Sequence, residues 1–271
     1  MANLPFTKMH GLGNDFMVIA ANDNDALPTA KIWRALADRH TGIGFDQALV
    51  ILPPHQADAA AYYRIFNADG GEVEQCGNGV RCVAEWLRLQ GRVAAPTLKL
   101  DSPGGRVEAA FVTPGMIAVN MGVPRFASPE ESTLQIDDEE ILFTEVSVGN
   151  PHIVLRVSSV DEAPVSTLGA RLESHQRFPQ RTNVGFLQVI DPAHARLRVF
   201  ERGVGETRAC GTGACAAMAS ARRQGLLAAE AEIALPGGAL QLRWQGEGSH
   251  LWMTGPAAVA FRGEVDLSQL A

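Results

Sequence analysis

The sequence predicts an α+β protein of two pseudo-symmetric domains produced by tandem duplication, each a barrel-like sheet around a central helix. Three observations carry that expectation. The stretch Arg64 to Gly91, RIFNADGGEVEQCGNGVRCVAEWLRLQG, returns without a gap 134 positions later as Arg198 to Gly225, RVFERGVGETRACGTGACAAMASARRQG, identical at ten of 28 positions. The likeness extends to both sides, since Pro103 to Gly122 maps onto Pro236 to Gly255, and Gly13-Asn14 with Val18 resembles Gly149-Asn150 with Val154. A period this long is not that of a solenoid, so the repeating unit is a domain. Third, each copy holds a helical pattern opened by Cys-Gly-x-Gly and closed by a Gly fifteen residues after the Cys, with short alternating strands behind it.

Composition bounds the rest. At 271 residues, 46% apolar and 20% charged, the chain can bury a large core. Two domains fit it, 1–118 with 259–271 and 119–258. A net charge of -7 gives no electrostatic footprint for nucleic acid, which is not expected as a partner. The start, MANLPFTKMHGLGNDF, lacks a charged segment followed by an apolar one, and no apolar run approaches the roughly 20 residues of a membrane span. The expected location is the cytoplasm, with no membrane partner. Four cysteines without a dense framework are expected to be reduced. Cys76 and Cys82, like Cys210 and Cys215, are not at CxxC spacing and have no His nearby, so no metal site is expected.

Along the chain, Phe6 to Lys8 and Phe16 to Ala21 predict strands around a Gly-Leu-Gly-Asn turn. Thr29 to His40 predicts a covering helix, with Ile32, Trp33, Leu36 and Ala37 at helical spacing, Thr29 as N-cap and Gly42 as stop. Ala48 to Leu52 and Ala61 to Phe66 are strands, and Asn67 to Gly71 is a turn. The first repeated helix sets Val80, Val83, Ala84 and Leu87 on one stripe and carries Arg81, Glu85 and Arg88 elsewhere. The second is small on nearly every face (Ala214, Ala216, Ala217, Ala219, Ser220, Ala221), which suits a helix threaded through a sheet or barrel. Strands follow each helix, at 97–100, 106–112 and 116–121, then at 232–235, 239–244 and 250–254. Polar, acidic 124–140 reads as a linker or loop. Val259 to Leu267 has no counterpart in the second repeat and is expected to return to the first domain, with the active site in the cleft between the halves.

The chemistry starts from Cys76 and Cys210. A free thiol titrates near about 8.5, and a helix N-terminus pulls it towards neutrality. If the halves close, the two thiols approach one point while the Gly77-Asn78-Gly79 and Gly211-Thr212-Gly213 amides converge as an anion cradle, which suits a carboxylate. One thiolate can remove an α-proton while the other thiol supplies a proton from the opposite face, inverting the carbon. Taken singly, either Cys would be read as a small buried residue. Their matched context at equivalent positions favours the catalytic reading, whereas Cys82 aligns with Ala216 and Cys215 with Arg81, and both are expected in the core.

The segments KMHGLGNDF, FNADGGEVEQCGNGVRC, GNPHIV, RTNVGF and FERGVGETRACGTGAC resemble the diaminopimelate epimerases, in order and over essentially the whole chain. The resemblance implies a PLP-independent isomerase, a homodimer without cofactor, that converts LL-2,6-diaminopimelate to the meso isomer for lysine and peptidoglycan synthesis. It also implies Cys76 and Cys210 as the acid/base pair and Asn14, Gln47, Asn67, Asn150, Asn183, Glu201 and Arg202 as substrate contacts. Gly77, Asn78, Gly211 and Thr212 would hold the reacting carboxylate, and His152 would help organise the site. The distal end of such a substrate is a zwitterion, so Glu201 would take its ammonium and Arg202 its carboxylate.

Alternatives stay open at this point. Proline racemases share the two-thiol plan, but a ring substrate without a distal zwitterion gives no use for Glu201 and Arg202. Gly211 to Ala216 fits the loose G-x-G-x-x-A form of a nucleotide-binding loop, without the strand and the acid that form requires. A thiol redox role would need the cysteines to cycle.

Overall fold

A computed structural model describes residues 3–23, 27–73, 77–128 and 130–270. The elements run β1 (Asn3–Gly11), β2 (Asn14–Ala20), α1 (Ala30–Ala37), β3 (Gln47–Leu52), β4 (Ala61–Asn67), β5 (Glu72–Val73), α2 (Gly77–Leu89), β6 (Thr97–Ser102), β7 (Gly105–Thr113) and β8 (Met116–Asn120). They continue with β9 (Arg125–Phe126), β10 (Ser132–Ile136), β11 (Glu139–Ser147), β12 (Pro151–Arg156), α3 (Val165–Glu173), β13 (Asn183–Asp191), β14 (His194–Glu201), β15 (Gly205–Thr207), α4 (Gly211–Arg223), β16 (Glu230–Leu235), β17 (Gly238–Arg243), β18 (Trp252–Pro256) and β19 (Ala258–Asp266). The chain divides into two compact units, residues 1–119 with 255–271 and residues 120–254.

In the first unit the sheet runs β19-β1-β2-β3-β4-β6-β7-β8, with β5 beside β6 on one edge of β4. Among its described strands, only β2–β3 and β4–β6 pair in parallel. A parallel pair needs a crossover, and α1 and α2 occupy the two. The second unit repeats the order as β11-β12-β13-β14-β16-β17-β18, with β12–β13 and β14–β16 parallel and α3 and α4 in the crossovers. It differs at its start, where β9 and β10 both pair with β11. Residues 124–140 are therefore not a linker but supply two strands. Their exposed residues, such as Thr133 and Gln135, alternate with Leu134 and Ile136, as on a strand with one wet face.

Sheet side chains alternate between two covered faces. Met17, Ile19, Ala48, Val50 and Leu52 pack with Trp33, Leu36 and Ala37 of α1. Phe16, Val18, Leu49 and Ile51 are equally buried and so point the other way, towards α2, which touches β1, β2, β3 and β7. In the second unit Ile153, Leu155, Val184 and Phe186 pack with Val165 and Leu172 of α3, while the intervening residues face α4. Cover on both faces explains why 16–19 and 48–52 are continuous apolar runs without alternation.

Helix α4 is buried from Gly211 to Ala221 apart from Thr212, as its small residues require. The expected stripe on α2 is corrected: Arg81 and Glu85 are buried too, at 0% and 5% exposure. Their charges are satisfied internally, since Arg88 donates to both Glu85 carboxylate oxygens at 2.8 and 2.6 Å, and Arg81 reaches the Asn78 side chain and the Pro256 carbonyl. Both helices end on a left-handed glycine, Gly91 (φ 68°) and Gly225 (φ 74°). The next amide closes the turn, Arg92 to Leu87 O at 3.0 Å and Leu226 to Ala221 O at 2.9 Å, a cap that a Cβ would strain. Helix α1 stops at Ala37, short of His40, because the Asp38 carboxylate captures the His40 and Thr41 amides at 2.8 and 2.7 Å. Helix α3 has no counterpart among the sequence expectations, although Val165, Leu168 and Leu172 lie at helical spacing. No described helix is long and apolar enough to cross a membrane.

Ala217 is fully buried in the middle of α4, which packs against β11, β12, β13, β14, β16 and β17. Ala217→Leu is expected to destabilise the protein by about 1–3 kcal/mol, the usual cost of overpacking. Urea unfolding with an unchanged midpoint would contradict the tight enclosure of α4.

Candidate active site

Strand direction gathers the expected residues of the first unit at one end of its sheet. Asn14 and Gln47 begin the parallel strands β2 and β3, and Asn67 ends the antiparallel β4 opposite Gln47. By alternation all three share the face of Phe16, Leu49 and Ile65, the α2 side. Gln47 Nε2 donates to Asn67 Oδ1 at 2.9 Å, and the buried Gln47 Oε1 has no hydrogen-bond partner among the described residues. Gly77 and Asn78 open α2. The Asn78 amide donates to Asn14 Oδ1 at 3.1 Å and accepts from Arg81 Nη2 at 2.7 Å, while Asn14 Nδ2 donates to Asp46 at 2.9 Å. Cys76 lies outside the described residues.

A charged cluster anchors this chain of amides. Lys8 donates to Asp15 and to the Gly44 carbonyl, and Arg39 donates to both Asp15 and Asp46. Burial pushes the Asp15 carboxyl up, but its bonds with Arg39 and Lys8 outweigh that and hold it well below the usual carboxylate range.

The second unit repeats the placement. His152 and Asn183 pair at the starts of β12 and β13, and Glu201 ends β14. Asn183 Nδ2 donates to Pro151 O at 2.9 Å, and Asn183 Oδ1 accepts the Arg202 backbone amide at 3.0 Å. The Arg202 side chain is exposed and reaches the Gln180 carbonyl at 3.2 Å. Asn150 Nδ2 lies 3.4 Å from Thr212 Oγ1, the counterpart of the Asn14–Asn78 contact. His152 Nε2 stands 3.0 Å from Asn150 Oδ1; because that oxygen only accepts, the nitrogen carries the proton. Burial, with the Arg202 charge behind it, lowers His152 from 6.5 to about 3, so the ring is neutral.

Cys210 is the N-cap of α4. Its sulfur accepts from the Gly213 amide at 3.3 Å and lies 3.6 Å from Thr212 Oγ1. A Cβ on Gly213 would stand 2.9 Å from Val199 and 3.2 Å from this sulfur, so only glycine allows the approach. The expected drop in thiol pKa is not what this environment produces. Burial pushes the Cys210 thiol well above its ordinary value, and the hydrogen-bonded Glu201 carboxylate adds to the rise. The Thr212 and Gly213 donors oppose the shift without overcoming it, so Cys210 is protonated here. Thr207 Oγ1 donates to Glu201 Oε1 at 2.5 Å. Cys82 and Cys215 are fully buried thiols within the helices.

The sequence signals did not single out Arg81, Asp46 or Thr207. Arg81 shares its helix with Glu85 and Arg88, so its charge did not set it apart. No group of three or more potential metal-ligating side chains occurs among the described residues.

Two copies of one sheet-and-helix unit, each with polar residues gathered at the mouth of its buried helix, define the racemase and epimerase class of fold. A hydroxyproline epimerase from Agrobacterium vitis shares it with a TM-score of 0.74 over 97% of this chain and 92% of its own, at 16% identity, which establishes the fold alone. The family model described as diaminopimelate epimerase matches residues 6–127 and 144–260. Diaminopimelate epimerases from Ectopseudomonas mendocina (strain ymp) and Stutzerimonas stutzeri (strain A1501) are 49% and 50% identical, each covering 97% of this chain and 99% of its own length. The chain belongs to the diaminopimelate epimerase family.

A neutral buried His152 has a signed consequence. Below pH 6.5 the unfolded chain takes up a proton at this residue that the folded chain refuses until about pH 3. His152 should therefore cost stability as pH falls through that window, by up to about 1.4 kcal/mol per unit. Its ring resonances should not titrate between pH 5 and 8 by NMR; a midpoint near 6.5 would refute the assignment.

Proposed function

We propose that this isomerase epimerises LL-2,6-diaminopimelate to the meso isomer, with Cys76 and Cys210 as its acid/base pair and no cofactor in the reaction. Family membership over nearly the whole chain supports the substrate. The observation that carries the mechanism is Cys210 at the mouth of a buried helix, its sulfur bonded to an α4 amide beside Thr212 and a carboxylate. Epimerisation needs a base on one face of the α-carbon and an acid on the other. Cys210, held as a thiol, suits the proton donor in one direction, with Cys76 as the base; the reverse direction exchanges the roles. Backbone amides at Gly77, Asn78, Gly211 and Thr212, at the N-termini of α2 and α4, would bind the α-carboxylate and stabilise the charge that spreads into it as the proton leaves.

The remaining contacts follow from the groups each residue offers. Gln47 Oε1 is a buried acceptor suited to an ammonium. Glu201 is engaged with Cys210, which favours the ammonium on the reacting carbon over the distal one. Arg202, with Asn67 and Asn183, would take the distal end. His152, neutral and bonded to Asn150, would orient that amide rather than transfer protons. A cytoplasmic homodimer in lysine and peptidoglycan precursor synthesis completes the reading, on the strength of the family resemblance.

Without added cofactor, the protein should interconvert LL- and meso-diaminopimelate, and Cys76→Ala or Cys210→Ala should abolish turnover while leaving the fold intact. Each thiol exchanges with solvent before substrate binds, so product formed early in deuterated water should carry deuterium at the inverted carbon. Unreacted substrate should carry little. Mass spectrometry of both isomers at low conversion reads this out, and product that keeps its original proton in both directions would mean one base rather than two.

A further inference from the structure

We propose that Thr207 is a positioning residue that fixes the Glu201 carboxylate at the Cys210 end of the site; the proposal rests on the assignment of Glu201 to the substrate ammonium. The β14–β15 hairpin sets Thr207 opposite Val199 and Glu201 opposite Gly205, so Thr207 and Glu201 are diagonal neighbours on the same face. Gly205 has no side chain to compete for the carboxylate. The Thr207 hydroxyl donates to Glu201 Oε1 at 2.5 Å, the length of a charge-assisted O–H to carboxylate bond. Glu201 also bonds to Cys210, so one carboxylate is tied to a fixed hydroxyl and to the reacting thiol. Thr has a branched Cβ and few rotamers, whereas a Glu side chain left to itself samples many.

The first repeat is the internal control. There Val73 stands where Thr207 does, paired with Ile65, and Asn67 stands where Glu201 does, held instead by Gln47. Its hairpin closes in the same register, and the Arg64–Glu72 pair at 2.7 Å matches Arg198–Glu206 at 2.7 Å. Hairpin formation thus does not require the hydroxyl. It occurs only in the copy that carries the carboxylate.

The test uses the full chain, with kcat and KM for diaminopimelate measured in wild type, Thr207→Val, Thr207→Ser and Glu201→Gln, and in the Val and Gln changes combined. Thr207→Val installs the residue of the other repeat and should lower kcat/KM about tenfold, as expected for losing a hydrogen bond to a charged group. Thr207→Ser should restore most of it, both Thr207 variants should melt within about 2 °C of wild type, and Thr207→Val should cost nothing further once Glu201 is Gln. Wild-type kcat/KM in Thr207→Val beside an impaired Glu201→Gln overturns the positioning role alone. So does a loss that persists in the Gln background, or one that Ser does not rescue. A wild type inactive on diaminopimelate, or Glu201→Gln with wild-type kinetics, overturns the underlying reading and this proposal with it.

Discussion

The enclosure of one helix by its own sheet is the constraint on which each unit depends. A helix with strands on every side has little face to expose, so beyond Thr212 at its mouth α4 is built of Gly, Ala, Ser, Cys and Met, and its Arg residues wait until the last turn. Enclosure also leaves the N-terminal amides unable to reach bulk water freely. They must be met by a side chain, as Cys210 meets Gly213, or by a ligand. The parallel crossovers bring that N-terminus to the end of the sheet where β2, β3 and β4, or β12, β13 and β14, begin or finish. A polar mouth on an apolar interior is therefore a product of the topology, before any particular residue is chosen.

Within this shared frame the two copies diverge in charge. In the first, a buried guanidinium, Arg81, holds Asn78, which holds Asn14, and the salt-bridged Asp15–Asp46 cluster anchors the far end. In the second, Cys215 replaces Arg81, Thr212 replaces Asn78, and a carboxylate, Glu201, replaces Asn67. The first mouth thus carries a cation beneath it and the second an anion beside its thiol.

The duplication was legible in the sequence because repetition survives as spacing, whatever the packing. The family resemblance named the polar residues as a set, and alternation along the strands puts Asn14, Gln47 and Asn67 on one face. Arg81 and Glu85 were misplaced because charge in a helical pattern ordinarily marks a wet face; only the cover supplied by β1 and β7, distant in sequence, reverses that. The strands at 125–126 and 132–136 were hidden by acidic composition, since the alternation in a five-residue edge strand is a weak signal beside a run of charge.

The protonation of Cys210 belongs wholly to the tertiary structure. From the sequence, a Cys before Gly-x-Gly and a helix promises an acidic thiol, because local amides and the helix dipole are all that the sequence shows. Folding adds burial and brings Glu201, nine residues earlier, back through a hairpin to the sulfur, and those two effects exceed the local one. Sequence alone determined which residues stand at the helix mouths and in what repeating order, since both are matters of spacing and local backbone preference. The tertiary structure decided which of them are charged, which are held and by what, because those depend on solvent exclusion and on partners far apart in the chain.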